Sequence, residues 1–297
     1  MLGRVVAEHT DIPPGVFNVI TAEDPAIVGD QLINDPRVDM VSFTGSTAIG
    51  KHIMTAAAKT VKKVFLELGG KSANIILDDA DIESALFSVL AVCFHAGQGC
   101  AINTRLLIPR EKQSQVEDLL KTYFTFIQYG DPSSDSQIMG PVVNKRQHQR
   151  VLEYIEKGKQ EGARLLLGGG VPSNLETGFY IEPTVFVDVT NDMTIAQEEI
   201  FGPVLSVIAY DNEEQAISIA NDSIYGLSGM VWSATDERAL AVARRIRTGT
   251  ISVNGGNYYS ADVPFGGYKQ SGIGREMGKE GFEEYLETKT IAIGVKQ

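Results

Sequence analysis

Short, nearly unbroken apolar runs alternate along the chain with stretches in which apolar residues recur every three or four positions. The runs cover residues 16–20, 38–43, 64–68, 72–77, 105–108, 164–167, 184–187, 204–210, 229–232 and 250–253. Runs of this length, bounded by turn residues, predict buried strands. The periodic stretches at 26–34, 48–60, 112–127, 145–161, 213–221 and 236–247 predict helices. Residues 1–9 read as the last turns of another helix, which Pro13-Pro14-Gly15 ends. Asp78-Asp79-Ala80-Asp81 places negative charge at the start of a further helix, which carries Ile82, Leu86, Val89, Leu90 and Cys93 on one face and stops at Gly97. Strand, helix and strand in succession predict an α/β fold of parallel β-α-β units, with right-handed crossovers and ligands at the carboxyl ends of strands. The module changes after Gly69-Gly70. The glycine-rich run 255–274 holds too many aromatic residues for a flexible linker and reads as an ordered loop.

Composition narrows the class of function. The chain has 297 residues, 43% of them hydrophobic, enough for a large core in one or two domains. Its formal charge is -12 and no segment gathers Lys or Arg into a stripe, which disfavours nucleic acid and anionic membranes and favours a small-molecule or protein partner. Two cysteines are too few for a disulfide framework, and no apolar run approaches the ~20 residues of a membrane span, so the expected address is cytoplasmic. The helix at the very start has no capping residue and no strand before it, which reads as a fragment of a longer α/β fold.

The candidate chemistry lies between Leu66-Glu67-Leu68-Gly69-Gly70-Lys71-Ser72 and Gly97-Gln98-Gly99-Cys100. A thiolate is a nucleophile and a glutamate can take a proton or activate water, so Cys100 and Glu67 make a chemically sensible pair if the fold joins them. Cys93, on an apolar helix face, reads as a small buried hydrophobe, whereas Cys100 sits among loop glycines. His95 suggests a Cys/His dyad as a lesser reading, and the spacing of Cys93, His95 and Cys100 does not fit a zinc site, so no metal is expected. Leu66 and Leu68 on either side of Glu67 argue for burial, which raises a carboxyl pKa into the range of a useful base; the bland alternative is a solvated strand end. Glu198-Glu199-Ile200-Phe201-Gly202-Pro203 offers a carboxylate for ribose hydroxyls and a ring for a flat cofactor, or else a solvated loop.

Gly45-Ser46-Thr47-Ala48-Ile49-Gly50-Lys51 follows a strand and opens a helix, where backbone N–H groups and the helix dipole bind phosphate. The spacing matches a P-loop except that His52 stands where a Mg²⁺-holding Ser or Thr belongs, and the run 74–78 ends in an Asp as a metal-holding strand does. A P-loop-like nucleotide hydrolase or a non-catalytic binding fragment is therefore the alternative.

Taken in order, Phe43-Thr44-Gly45-Ser46-Thr47 with Gly50, the Glu67 to Ser72 segment, Gly97-Gln98-x-Cys100, Glu199 to Pro203, and Pro264-Phe265-Gly266-Gly267-Tyr268-Lys269 with Ser271-Gly272 and Gly274-Arg275-Glu276 resemble the aldehyde dehydrogenase superfamily across the whole chain. The resemblance implies oxidation of an aldehyde to an acid with NAD or NADP. Cys100 would form a thiohemiacetal and then a thioester, Glu67 would activate water, and the Cys100 N–H would help hold the oxyanion. Gly45, Ser46 and Gly50 would border the pyrophosphate. Glu199 would bind the nicotinamide ribose, and Leu68 and Phe201 would hold the nicotinamide side. Glu287 would be a second carboxylate linked to proton relay, and Tyr259 would line the aldehyde entrance. It also implies a partial Rossmann-like nucleotide-binding domain at 1–68, an α/β catalytic domain at 69–279, and a C-terminal segment at 280–297 returning to a sheet or oligomer contact. Residues 290–295 would be a terminal strand, in a full-length homo-oligomer that is a dimer or tetramer. Full-length members of the family carry further chain before the position of Met1, including an oxyanion-hole Asn, a kind of group whose removal costs about 100 to 1000-fold in turnover. The isolated chain is therefore expected to be a poor dehydrogenase or inactive.

Overall fold

The structure, a computed structural model, describes residues 1–175 and 177–295 and divides into two compact units. The smaller comprises residues 1–41 and 51–64. Its helices α1 (Leu2–His9) and α2 (Pro25–Asn34) are joined by irregular chain. The Asp24 carboxylate accepts from the Ala26 N–H at 3.0 Å, and Pro25 occupies the first turn, where a missing N–H does no harm. The strand expected at 16–20 is not formed; Val16 is 70% exposed, and no strand among the described residues runs beside this stretch. Apolar character makes a strand only where a ladder can satisfy the backbone.

The larger unit comprises residues 42–50 and everything from Phe65 onward. The strands β1 (Met40–Thr44) and β2 (Lys63–Glu67), with α3 (Thr47–Ala57) between them in sequence, are shared between the two units. Beyond them come β3 (Ala73–Ile76), α4 (Ile82–Phe87), β4 (Arg105–Pro109), α5 (Gln113–Phe124), α6 (Lys145–Gln160), β5 (Arg164–Leu167), β6 (Thr184–Val187), α7 (Thr194–Gln197) and β7 (Val204–Tyr210). The chain ends with α8 (Glu213–Asn221), β8 (Tyr225–Gly226), β9 (Gly229–Trp232), α9 (Asp236–Ala243), β10 (Ser252–Val253), β11 (Tyr268–Lys269), β12 (Gly272–Ile273) and α10 (Gly278–Glu283). The main sheet has the order β10-β9-β3-β4-β7-β6-β5, parallel throughout except where β5 meets β6. A small sheet runs β1-β2-β12, and β8 pairs with β11 as an antiparallel ribbon.

The parallel pairing explains the apolar runs. Every residue of β3, β4 and β6 is buried, as in strands covered on both faces, so these segments show continuous rather than alternating hydrophobicity. The helices bury one stripe each: Val116, Leu120 and Phe124 on α5, Val151 and Ile155 on α6, Ala239, Val242 and Ala243 on α9. Asn144, Asn212 and Thr235 cap α6, α8 and α9 through their side chains.

Three expectations change in detail. The helix expected to run from Asp81 to Gly97 is α4 followed by a 3₁₀ helix at Ser88–Gly97 that is kinked by non-helical backbone at Phe94, His95 and Ala96. The strand expected over 250–253 is reduced to Ser252–Val253. Residues 290–295 form no ladder, and Ile293 is 88% exposed.

One buried cation ties several segments together. The Arg105 guanidinium donates through Nε to the Lys71 carbonyl at 2.9 Å, through Nη1 to Asn191 Oδ1 at 3.0 Å and the Ile219 carbonyl at 2.9 Å, and through Nη2 to the Ala220 carbonyl at 3.0 Å. No other side chain presents donors in so fixed a fork. Arg105→Met, which leaves these acceptors unpaired, is expected to lower the unfolding free energy by about 3 kcal/mol or more, and Arg105→Lys to restore only part of it. Urea denaturation checks this, and a change below about 1 kcal/mol would count against the fork as a main tie.

Candidate active site

Glu67 is the last residue of β2 and 3% exposed. Its backbone is locked opposite Gly272 of β12. Neither carboxyl oxygen has a hydrogen-bond partner in the structure. The seat is shaped by Gly266: a methyl there would come within 2.8 Å of both Glu67 Oε1 and the Arg275 side chain. Burial pushes the Glu67 pKa up to about 8, helped by the neighbouring negative charge of Glu276 and opposed by Arg275. Arg275 is held by the Gly267 carbonyl, which accepts from Nη1 at 3.2 Å. The result is a carboxylic acid that keeps its proton near neutrality and has free oxygens for a reactant or water.

Directly after Glu67, Gly69 and Gly70 let two other groups approach. A methyl on Gly70 would lie 2.5 Å from the Cys100 carbonyl, and one on Gly69 would lie 2.4 Å from Glu199 Oε2. The Gly70 N–H donates to Glu199 Oε1 at 3.0 Å. Cys100 itself is half-buried and packs, with Tyr258, against Ala101, Leu227 and Phe265. Burial pushes its thiol pKa up, and the charges of Glu199 and then Glu67 push the same way, while N–H groups at Ala101 and Cys100 pull it down. Those last contributions are the backbone donors a thiolate or oxyanion would use. Cys93 is fully buried, with its thiol pushed up to about 12 by burial, and is inert.

The loop that presents Cys100 is unusual. His95, Ala96 and Gly97 all have positive φ (52°, 53° and 72°), a left-handed turn that costs ordinary residues about 1–2 kcal/mol each. Gly97 is irreplaceable on two counts, since an added methyl would also meet Gly202 backbone atoms at 2.1 Å. Gln98 fastens the turn by donating to the His95 carbonyl at 3.0 Å and accepting from the Val143 N–H at 2.9 Å. The His95 side chain is exposed, and what His95 supplies to the turn is its carbonyl.

The Glu198–Phe201 loop is gripped from the outside by one face of α6. Gln147 Nε2 donates to the carbonyls of Ile200 at 3.1 Å and Phe201 at 2.7 Å, and Arg150 Nη2 donates to the Glu199 carbonyl at 2.8 Å. The Tyr154 hydroxyl donates to Glu198 Oε2 at 2.6 Å. Phe201 adopts a positive φ of 60° and stays partly exposed. Gly45 and Ser46 form the turn between β1 and α3. The Gly45 N–H is taken by the Glu67 carbonyl at 3.0 Å, so the donors left for an anion are those of the first helical turn after it. Gly50 lets α3 lie against Leu68, whose Cδ1 would be 2.6 Å from an added methyl. Tyr259, 52% exposed, stacks on Phe265 at 5.5 Å and tilts against Tyr258 at 4.8 Å, giving Cys100 an aromatic neighbourhood.

The structure thus brings Glu67, Leu68, Cys100 and Glu199 around Gly69-Gly70. It leaves Glu287 in the exposed C-terminal stretch, and the carboxylate whose charge acts on Glu67 is Glu276. In the sequence Lys71, Arg275 and Glu276 stand only as members of the motifs that carry the resemblance, without roles of their own, and Tyr258 and the grip of α6 carry no sign at all. The hydrolase alternative loses its parts: His52 meets Asp30 at 2.9 Å, and Asp78 is paired with Arg238 at 2.7 Å. No group of three or more metal-ligating side chains occurs among the described residues.

The class of protein follows from where the thiol lies. It sits in a loop beside a parallel α/β sheet, with carboxyl groups rather than an imidazole as its charged neighbours. The Aldehyde dehydrogenase family profile matches residues 1–291. A 3-succinoylsemialdehyde-pyridine dehydrogenase from a Pseudomonas species is 49% identical over 98% of this chain and 61% of its own. The structure is similar to that of an aldehyde dehydrogenase from Mycobacterium tuberculosis complexed with NAD⁺, with TM-score 0.84 and 49% identity over 86% of this chain and 53% of that one. It is also similar to a cysteine-to-alanine mutant of aldehyde dehydrogenase C from Pseudomonas syringae, complexed with NAD⁺ and octanal, with TM-score 0.91 and 46% identity over 94% of this chain and 57% of that one. The chain belongs to the aldehyde dehydrogenase family, and it spans about three fifths of the length of the curated relatives it matches.

Glu67 keeps its proton to a higher pH in the fold than its ordinary 4.5, so the stability it contributes is fully present below 4.5 and lost as pH rises through about 8. Glu67→Gln, which resembles the protonated form, is expected to flatten the decline of the urea midpoint across that window. A decline that persists unchanged in the variant would assign it to another group.

Proposed function

We propose that this chain carries the reacting groups of an NAD(P)-dependent aldehyde dehydrogenase, which oxidises an aldehyde to a carboxylic acid. The observation that carries the reading is the half-buried Cys100 thiol within electrostatic reach of Glu67, whose two oxygens are both unpartnered. Residues 1–68 belong to the nucleotide-binding part, 69–279 to the catalytic part, and 280–297 to a segment that serves oligomer contacts. What supports NAD or NADP is the donor set: an anion-binding helix start after Gly45 and Ser46, with Gly50 close to Leu68, and the Glu199 carboxylate placed over Gly69-Gly70 for ribose hydroxyls. Leu68 and Phe201 supply apolar surface for the nicotinamide. When bound, the cofactor accepts a hydride.

Cys100 acts first. Its thiol gives its proton to solvent water and Sγ adds to the aldehyde carbon, while the Cys100 N–H donates to the oxyanion of the resulting thiohemiacetal. Loss of hydride from that carbon leaves a thioester on Sγ. Glu67, ionised, then takes a proton from water, the water oxygen bonds to the thioester carbon, and the carbon–sulfur bond breaks to release the acid and the Cys100 thiolate. Glu276, the carboxylate that acts on Glu67, takes the relay role that the family resemblance gives to Glu287. The aromatic group of Tyr258, Tyr259 and Phe265 offers its faces to the body of the aldehyde. The negative net charge fits a small-molecule aldehyde rather than nucleic acid or an anionic membrane as partner, and no helix among the described residues is long and apolar enough to cross a membrane. The protein is read as a cytoplasmic homo-oligomer.

The test uses the 297-residue chain. Iodoacetamide should label Cys100 stoichiometrically, with a rate that rises with pH and is slowed by NAD⁺ or NADP⁺. Cys100→Ala should abolish aldehyde-dependent cofactor reduction, followed by absorbance, and ester hydrolysis; retention of either removes Cys100 from the role. Glu67→Gln should lower thioester hydrolysis about 10² to 10⁴-fold, the range of a general base. In the wild type that step should rise with pH and level off above about 8, where Glu67 is ionised.

A further inference from the structure

Lys71 takes no part in the steps above, yet it is 2% exposed and its Nζ has no hydrogen-bond partner in the structure. With Arg105, Ser72 and Ser228 it lines a cavity of about 10 Å³, room for about one water molecule. An ammonium so placed needs opposite charge to offset desolvation. Arg105 on β4 repels it, and Glu199 and Glu198, in the segment after α7, attract it. Glu198 already accepts from the Tyr154 hydroxyl. Glu199 is the acid seated over the residues just before Lys71, with the Gly70 N–H donating to its Oε1. Residues 70 and 71 therefore address one carboxylate, the first by a hydrogen bond and the second by charge.

We propose that Lys71 is a positioning residue whose charge keeps the Glu199 carboxylate ionised over Gly69-Gly70, ready for the ribose hydroxyls of a nicotinamide nucleotide. The ribose clause rests on the function proposed above; the Lys71–Glu199 link does not. Burial pushes the Glu199 pKa up, and the Gly70 N–H, Lys71 and Arg150 from α6 hold it down. The same carboxylate acts on Cys100 and Tyr225, so its charge state reaches the nucleophile. Burial, with Arg105, brings Lys71 itself down to about 7, so the counter-charge weakens as pH passes neutrality.

The link is read without cofactor, from the carboxyl ¹³C resonance of Glu199 in glutamate-labelled chain, assigned by its loss in Glu199→Gln. Lys71→Met should raise the Glu199 titration midpoint by about one unit or more, and Lys71→Arg should not. An unmoved midpoint in folded Lys71→Met overturns the proposal. Nicotinamide mononucleotide then tests the ribose clause: calorimetry should show about tenfold weaker binding to Lys71→Met, and no further loss when Lys71→Met is added to Glu199→Gln. Equal loss in both backgrounds overturns a role through Glu199. A midpoint shifted in Lys71→Met, together with a wild-type chain that does not bind the mononucleotide, sinks the ribose clause and leaves the link standing. Should Lys71→Met not fold, the link is read from its other end. Lys71, lowered in the fold from 10.5 to about 7, makes stability rise with pH between those values. Glu199→Gln should start that rise at lower pH, and an unchanged onset overturns the proposal.

Discussion

Everything near the reacting centre depends on two residues that have no side chains. Gly69 and Gly70 stand where β2 ends, and the space their missing methyls leave is filled by the Glu199 carboxylate on one and the Cys100 backbone on the other. Excess atoms in a packed interior cost about 1–3 kcal/mol and displace their neighbours. Here the displaced neighbours would be the Glu199 carboxylate and the Cys100 carbonyl. The pair is held from behind by Ser271, fully buried, whose hydroxyl donates to the Gly69 carbonyl at 2.7 Å and accepts from the Gly226 N–H at 3.0 Å. The Ser271 carbonyl accepts from the Leu68 N–H at 2.8 Å. A loop late in the chain thus fixes the floor on which residues from its first hundred positions meet.

Three carboxyl or amino groups lie within this small volume with pKa values pushed toward neutrality, and in each case burial is the first cause. What distinguishes them is the neighbour that follows. Glu67 has Glu276 against it, so its proton stays longer; Glu199 has an N–H and two cations that oppose the effect of burial; Lys71 has Arg105 against it and the two glutamates for it. One low-dielectric environment therefore raises the pKa of both carboxyl groups, and the neighbours of each oppose or reinforce it.

Much of this was legible in the sequence. Continuous apolar runs gave away the parallel strands because both faces of the sheet are covered, and glycines beside Glu67, Cys100 and Glu199 marked places where groups come close. The failures have physical reasons. Residues 16–20 have the composition of a strand, but pairing is a property of a neighbour, which composition does not contain. The helix leading to Cys100 breaks at Phe94 because the tertiary contact of Gly97 with Gly202 outweighs the local preference to continue. Arg275 and Glu276 reach Glu67 through the β2–β12 register, a long-range pairing that no local pattern encodes. Lys71 enters the sequence only as a member of the Glu67 to Ser72 segment; the packing of Arg105 and β4 around it makes it a buried charge.

The contact between Gly97 and Gly202 has one more consequence. The first residue belongs to the loop that carries Cys100, and the second to the loop that carries Glu199 and Phe201; where they touch, neither has room to gain an atom, because Gly202 is also backed by Val151 of α6, whose Cγ2 would be 2.5 Å from an added methyl. The two loops and the helix are thereby locked to one spacing: a side chain at position 97 would meet the backbone of Gly202, which no change of side chain at 202 or 151 can remove, so positions 97 and 202 are held to glycine by the same contact.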